Sequence, residues 1–549
     1  MGSNPNGDGR EAADKKGLAV LKTDTGRNLI DQANFHQING EYLEAQKLYS
    51  EILIANPCDT KALLGVGIVA QKLNSFDLAL SLFSKVISID RHHEEAFFHR
   101  GKAHFSCRNF ELAIEDFTST LKTNPTNIDA LNSRGIAYTQ LSNFNASLRD
   151  FKRAIQISSS NADLFYNRGL AYWNLRNYQA AIHDYTHAIE LRPNYYQAFN
   201  NRGSAYRELG DFEKALEDFK TSTVLKSDFA DGYWNQSLIH LIKGEYEKAW
   251  PLYEFRWQSK HFPSEKRDFN VPLWLGDQSI KGKTILIHSE QGLGDTIQFC
   301  RYIKLFHRKK CKILLEVEEP LIHLMESLQP KKNIFLKGSS LPKFDFHCPM
   351  MSLPLAFDTK IHSVPFSTAY LTASKNRVKW WETYLGVSKK PRVGLSWRGN
   401  PNHPNDKKRS IALRDIIEEL DPKFEWLSLQ YDITDEEFDL IKGSQKICHF
   451  GKLIGDFAET AAFCKNLDAI ICVDTSIAHL AGSIGSKTYL MLAQVADSRW
   501  HVSGDSTPWY DSFTIMRRDC STDYRELLCQ AQNLICSEQK FKALDRELL

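Results

Sequence analysis

Two periodicities divide the chain. Through the first half a small residue recurs every 34 positions, at Ala45, Ala79, Ala113, Ser147, Ala181, Ala215 and Ala249. Four residues after each stands an aromatic ring: Tyr49, Phe83, Phe117, Phe151, Tyr185, Phe219 and Tyr253. A spacing of four sets each pair on one helix face. The small residue lets antiparallel helices approach, and the ring one turn on is expected to fill the gap to the next hairpin. Pro57, Pro125 and Pro193 fall at the unit boundaries, where proline ends one helix before the next begins. After Trp257 this period stops, and a Pro- and Gly-punctuated connector without sustained periodicity follows. From Lys283 short β-rich runs ("TILIH", "KILLEV", "NIFLKG") alternate with helical stretches, and a second such series starts at "PRVGLSW", Pro391 to Trp397. That alternation predicts βαβ units and parallel sheets.

A 34-residue step is the tetratricopeptide period, and "NRGLAY", "NRGSAY", "SRGIAY" and "HRGKAH" recur in phase with it. Residues 26–257 therefore resemble seven tetratricopeptide repeats. Repeats of this kind stack into a superhelix whose inner wall meets any ligand in the groove. One inner-wall column reads Phe98, Asn132, Tyr166, Asn200 and Trp234. Its amides can pair with the backbone of an extended peptide and its rings can flank the peptide's side chains. The alternative is that the column packs between neighbours within the stack.

Composition narrows the remaining choices. The 549 residues exceed what one core usually holds. A formal net charge of +2, with 25% charged and 42% apolar residues, describes a globular chain rather than a nucleic-acid polycation. The eleven cysteines are scattered without CxxC or Cys/His ligand spacing, which supports neither a zinc module nor a disulfide framework. The start "MGSNPNGDGREAADKKG" is polar and Gly-rich, without the apolar core of a signal peptide, and residues 1–25 are expected to hang loose. The longest apolar run, "ALLGVGIVA", is far short of the roughly 20 residues a membrane span needs, so a cytoplasmic location is expected.

Three stretches carry candidate chemistry. "SEQGLGDTIQF", Ser289 to Phe299, sets two glycines and an acid between a strand-like and a helix-like run. It reads as a plain turn, a phosphate-approaching loop or the seat of a reacting acid. In "ICVDTSIAHLAGSIG" a buried-type strand ends at Asp474, and Thr475 and Ser476 stand where a helix begins, with His479 about one turn along. Hydroxyls and free amides there suit phosphate, while the bland reading is helix capping. "SWRGNPNHPNDKKRSIAL" places His403, Lys407, Lys408 and Arg409 in a loop after a strand, as a diphosphate receptor or a solvated basic loop.

Taken in order, "PLWLGD", "EQGLGDTIQF", "GLSWRGNPNHPNDKKRSIAL", "DFAETAAFCKNLDAIICVDTSIAHLAGSIG" and "DSTPWY" resemble the heptosyltransferase-like glycosyltransferases, in the form joined to tetratricopeptide repeats. The resemblance implies an α-solenoid (a TPR superhelix) followed by an α/β GT-B fold of two Rossmann-like domains. These would span 283–390 on the acceptor side and 391–549 on the nucleotide-sugar side, after a connector over 258–282. It implies a metal-independent, inverting transfer of a sugar from a nucleotide-diphosphate donor to an acceptor hydroxyl, with no cofactor besides that co-substrate. The chain has no Asp-x-Asp pair for a divalent ion. By resemblance Asp295 is the base, in a loop whose Gly292 and Gly294 admit the acceptor. Arg409, helped by Lys408, the Thr475–Ser476 amides and hydroxyls, and His479 would stabilise the leaving diphosphate. Asp474 would orient its loop, Trp397, Gly399 and Asn400 would shape the donor pocket, and Gln430 would contact the nucleotide. Arg398 stands where many relatives carry a small residue, and would reach the donor phosphates or face solvent. The repeats would recruit a polypeptide or glycan acceptor. The competing reading is a non-catalytic repeat scaffold with a degenerate nucleotide-sugar-binding domain.

Overall fold

The computed structural model describes residues 28–401, 406–519 and 522–548. The expected loose tail at 1–25, His403 and the Lys407 side chain lie outside the described residues. From residue 28 to Tyr253 the chain forms about fourteen helices in consecutive hairpins. The chain divides into two compact units between Tyr206 and Arg207, a point inside the helix Tyr196–Glu208.

In the first unit the two predicted columns are core. Ala45, Ala79, Ala113, Ser147 and Ala181 are fully buried, and so are Phe83, Phe117, Phe151 and Tyr185. The rings do not mainly bridge to the next hairpin, as the spacing had implied. A Cβ added at Gly67, Gly101, Gly135 or Gly169 would lie 2.5–2.8 Å from the ring of Phe83, Phe117, Phe151 or Tyr185, sixteen residues on in the partner helix of the same hairpin. Gly67 and the "RGxA" glycines Gly101, Gly135 and Gly169 therefore each seat the ring that closes their own hairpin. Tyr49 keeps the expected arrangement, against Gly65 of the next hairpin. The turns close through left-handed residues at the same 34-residue step, Asn74, Arg108, Ser142 and Arg176.

A polar column locks neighbouring repeats. Arg100, Arg134 and Arg168 each donate two hydrogen bonds, of 2.7–2.9 Å, to a buried aspartate sixteen residues on: Asp116, Asp150 and Asp184. Arg100 and Arg134 also reach back to Ser84 and Thr118 in the preceding hairpin, at 3.1 and 2.9 Å. A bidentate pair of this geometry compensates a buried carboxylate.

The second unit holds two sheets, both wholly parallel. The smaller runs β3-β2-β1-β4, with β1 Thr284–His288, β2 Lys312–Val317, β3 Ile334–Leu336 and β4 Phe346–Pro349. The larger runs β10-β9-β8-β5-β6-β7, with β5 Arg392–Ser396, β6 Glu425–Ser428, β7 Ile447–Cys448, β8 Ala469–Val473, β9 Thr488–Leu492 and β10 Phe513–Arg517. Both are compatible with Rossmann-like folding. Side chains on β8 alternate between two cores, Ile470 and Cys472 on one face and Ala469, Ile471 and Val473 on the other, as strand geometry requires.

Packing moves two boundaries that periodicity had set. Tyr246, Ala249, Trp250 and Tyr253, though still in phase with the repeats, share a core with β1 and Trp274. Trp250 Nε1 also donates to the Thr359 carbonyl at 3.0 Å. The expected domain break at Trp257 is thus not a break in packing. The connector contributes a parallel bridge, Leu273 to His347, and the fully buried Trp274. In the terminal helix, Tyr524–Leu548, the residues Tyr524, Leu527, Leu528 and Ala531 pack on the six-stranded sheet with Ile471, Tyr489 and Met491. Its apolar spacing specified a buried face but not which sheet would cover it.

Candidate functional site

In the larger sheet the strand order reverses between β5 and β8. Loops leaving the carboxyl ends of two such strands diverge and open a crevice. A cleft of about 550 Å3 lies there, walled by the loops after β1, β5, β6, β8 and β9.

The loop after β1 is fixed at each end. Ser289 Oγ donates to Glu318 at 2.8 Å, and Glu290 is buried against Arg256, 2.9 Å from Nη2, while accepting from the Met351 amide. Burial raises the Glu290 carboxyl; the Arg256 charge opposes it. Asp295, in the first turn of the helix Leu293–Phe299, accepts from the Gly292 amide through Oδ2 at 3.0 Å. Its Oδ1 accepts from Arg499 Nη2 at 2.8 Å. Gly294 has a protein reason to be glycine: an added Cβ would meet His479 Cδ2 at 2.9 Å and Ser476 Cα at 3.4 Å. Its smallness lets two helix starts meet; both glycines still line the cleft.

Opposite stands the start of the helix Ser476–Ser483. Thr475 occupies its N-cap with extended backbone, yet its hydroxyl makes no capping bond. Only 7% exposed, Thr475 has no partner for Oγ1 within the described structure. Among the described residues the Ser476 and Ile477 amides, in the first turn, donate to no protein acceptor. A buried hydroxyl left unpaired costs free energy that a ligand oxygen would recover. Arg409 Nη1 donates to the Asp474 carbonyl at 2.9 Å, beside this helix start. Gly399 is needed for that pose, since a Cβ there would lie 2.7 Å from Arg409 Nη2. Asn400 borders the same wall. Gln430 lines the floor, its Oε1 held by Ser396 Oγ at 2.9 Å and the Arg398 amide at 3.3 Å.

Four expected roles change, those of Trp397, Arg398, Lys408 and His479. Trp397 does not shape the pocket: it is fully buried and donates to Glu437 Oε1 at 2.6 Å, because alternation turns it to the face opposite Ser396. Arg398 neither reaches across the cleft nor faces solvent; Glu437 clamps it at 2.9–3.2 Å and the Asp432 carbonyl takes Nη2. Burial opposes ionisation of Glu437, but hydrogen bonds from Arg398 and Trp397 hold its carboxyl below the usual range. Lys408 lines the cleft with its ammonium paired to Glu208, which neutralises the help expected for Arg409.

His479 is only 2% exposed and stacked on Trp500 at 5.3 Å. Burial, then the Arg499 charge, pushes it well below the usual histidine value. The ring is neutral, and an arginine can only donate, so Nε2 accepts from Arg499 Nη1 at 3.1 Å and Nδ1 donates to the Tyr510 hydroxyl at 2.9 Å. Both nitrogens are spent inside the protein, which leaves none to donate to a diphosphate. Burial and the nearby Asp497 charge raise Asp474, with Arg499 and Arg409 opposing. Asp497, more than a third exposed, is held below its usual range by the Arg499 charge and hydrogen bonds.

Arg499 escaped the sequence reading. It follows β9 in "LAQVADSRW", and a cation in a loop after a parallel strand was the available signal. It joins Asp295, His479, Asp497 and Gln298, at 2.8, 3.1, 2.8 and 3.2 Å.

Residues 162–195 and 196–229 match the tetratricopeptide repeat model, and residues 135–175 match a second TPR repeat model. The chain thus carries tetratricopeptide repeats, a protein-interaction architecture. It is 24% identical over 291 residues to protein FlbA of Caulobacter vibrioides, covering 48% of each chain, so it spans about half of that relative. Among solved structures it is similar to MamA (24% identity, 31% of this chain and 93% of that one, TM-score 0.29). It is also similar to a tetratricopeptide repeat protein from Parabacteroides merdae (19% identity, 42% and 91% coverage, TM-score 0.36).

The inner-wall column is engaged within the stack. Asn132 accepts from Asn167 at 2.9 Å, and the Tyr166 hydroxyl accepts from Asn201 at 3.0 Å while its ring lies 4.9 Å from that of Tyr195. Phe98 lies 6.0 Å from Phe117, and Asn200 is buried. In the second unit Trp234 packs edge-on to Phe262. Among the described residues no helix is long and apolar enough to cross a membrane, and no cluster of three or more metal-ligating side chains occurs.

Proposed function

We propose that the second unit is a metal-independent, inverting glycosyltransferase of GT-B type, using a nucleotide-diphosphate sugar, and that the repeats recruit its protein or glycan acceptor. The observation that carries this reading is the unpartnered Thr475 hydroxyl at a helix start beside Arg409, across one cleft from the Asp295 carboxylate. Helix amides, a hydroxyl and a guanidinium form a preorganised receptor for a diphosphate. In the reaction the acceptor oxygen attacks the anomeric carbon and its proton passes to Asp295. The bond from that carbon to the phosphate oxygen breaks, and the nucleoside diphosphate leaves with the electron pair. A carboxylate keeps lone pairs for this proton while bonded to Gly292 and Arg499.

Purified protein offered ADP-, UDP- and GDP-sugars with cell extract as acceptor should release one nucleoside diphosphate, and Asp295→Ala should abolish that release. One observation favours a non-catalytic nucleotide-sugar scaffold: both Asp295 oxygens already have protein partners. Tight donor binding without release of any nucleotide across the panel would select it.

A further inference from the structure

We infer that Arg499 is the positioning residue of this site, holding Asp295 in place and itself held by His479. The inference rests on the glycosyltransferase reading. Arg499 is the one side chain that touches Asp295 from the loop after β9, and it does so through Nη2 to Oδ1 at 2.8 Å. Its other donors are committed to fixed partners: Nε to Asp497, and Nη1 to Gln298 and His479. A guanidinium held at three nitrogens is rigid, and that rigidity passes to the carboxylate it grips.

His479 fits the second tier of this arrangement. Trp500 stacks on its ring and the Tyr510 hydroxyl fixes Nδ1, so Nε2 presents its lone pair to Arg499. Burial keeps the ring neutral, which preserves that acceptor. The Asp295 carboxylate is thereby fixed on two sides, by the Gly292 amide from its own helix and by Arg499 from β9.

The test is steady-state kinetics on full-length protein with whichever donor the panel identifies. Arg499→Met should lower kcat about 100-fold, the scale of a misplaced reacting group, with donor KM changed less than about threefold. Added guanidinium ion should restore part of that kcat, Arg499→Lys should keep part of it, and thermal melts should show both variants folded. His479→Phe should also lower kcat, and the double variant should be no slower than Arg499→Met alone, since both act through one contact. A rise in donor KM at unchanged kcat would make Arg499 a donor ligand and overturn the inference. Multiplying effects in the double variant, or no guanidinium rescue in a folded Arg499→Met protein, would overturn it too. A wild type inert towards every donor would instead remove the underlying reading, and is seen before any variant is made.

Discussion

Thr475 separates a helix cap from a ligand site by a single oxygen atom. Its hydroxyl makes no capping bond, so Thr475→Val removes a group with no protein partner and should leave Tm within about 1 °C. If that oxygen receives a diphosphate, calorimetric affinity for the cognate nucleoside diphosphate should fall about tenfold, the worth of one good hydrogen bond. Sequence alone left capping and phosphate binding both open there, because both use the same residues at the same place. The missing intrahelical bond, a fact of geometry, shows that the Thr475 hydroxyl does not cap the helix. Trp397 failed for the complementary reason. It neighbours true cleft residues in sequence, but a strand turns consecutive side chains to opposite faces.

The repeat hairpin behaves as a unit with two internal locks. Gly169 lies so close to Tyr185 that Gly169→Val should overpack the hairpin and cost about 2 kcal/mol in urea unfolding. The Arg168–Asp184 pair gives a second forecast. Arg168→Leu strands a carboxylate in a residue only 1% exposed and should cost about 3 kcal/mol, while adding Asp184→Leu should recover most of that loss. A double-variant loss equal to the sum of the two single-variant losses would show that the pair is not coupled. The rings, and the Arg and Gly of the recurring "RG" strings, were legible at the 34-residue step. Their pairings sixteen residues away were not, since that distance is set by how two helices cross.

For the molecule as a whole, packing draws the line at Tyr206 and Arg207, inside the periodic half. A fragment beginning at Tyr196 should give a cooperative melt, whereas one beginning at Gln258 lacks Tyr246, Trp250 and Arg256, and should aggregate. Acid should weaken the fold. Burial holds His288 near a pKa of about 3, so the unfolded chain takes up its proton near pH 6.5 and the folded ring does not until far lower. That contribution is complete above about pH 6.5 and is lost at roughly 1.4 kcal/mol per unit as pH falls. His479 acts in the same sense, and the raised carboxyls Asp474 and Glu290 act oppositely. With His99 and His347 also held near 4, Tm should be lower at pH 4.5 than at pH 7. The order of elements was written in the chain: a 34-residue period for the hairpins and strand–helix alternation for the parallel sheets, both set by local repetition of apolar positions. Where the second unit begins, which sheet the last helix covers, and the joining of Arg499 to Asp295 were decided only by the tertiary fold. Residues 204 apart in the chain share a contact only once two sheets have packed, and no local pattern encodes that.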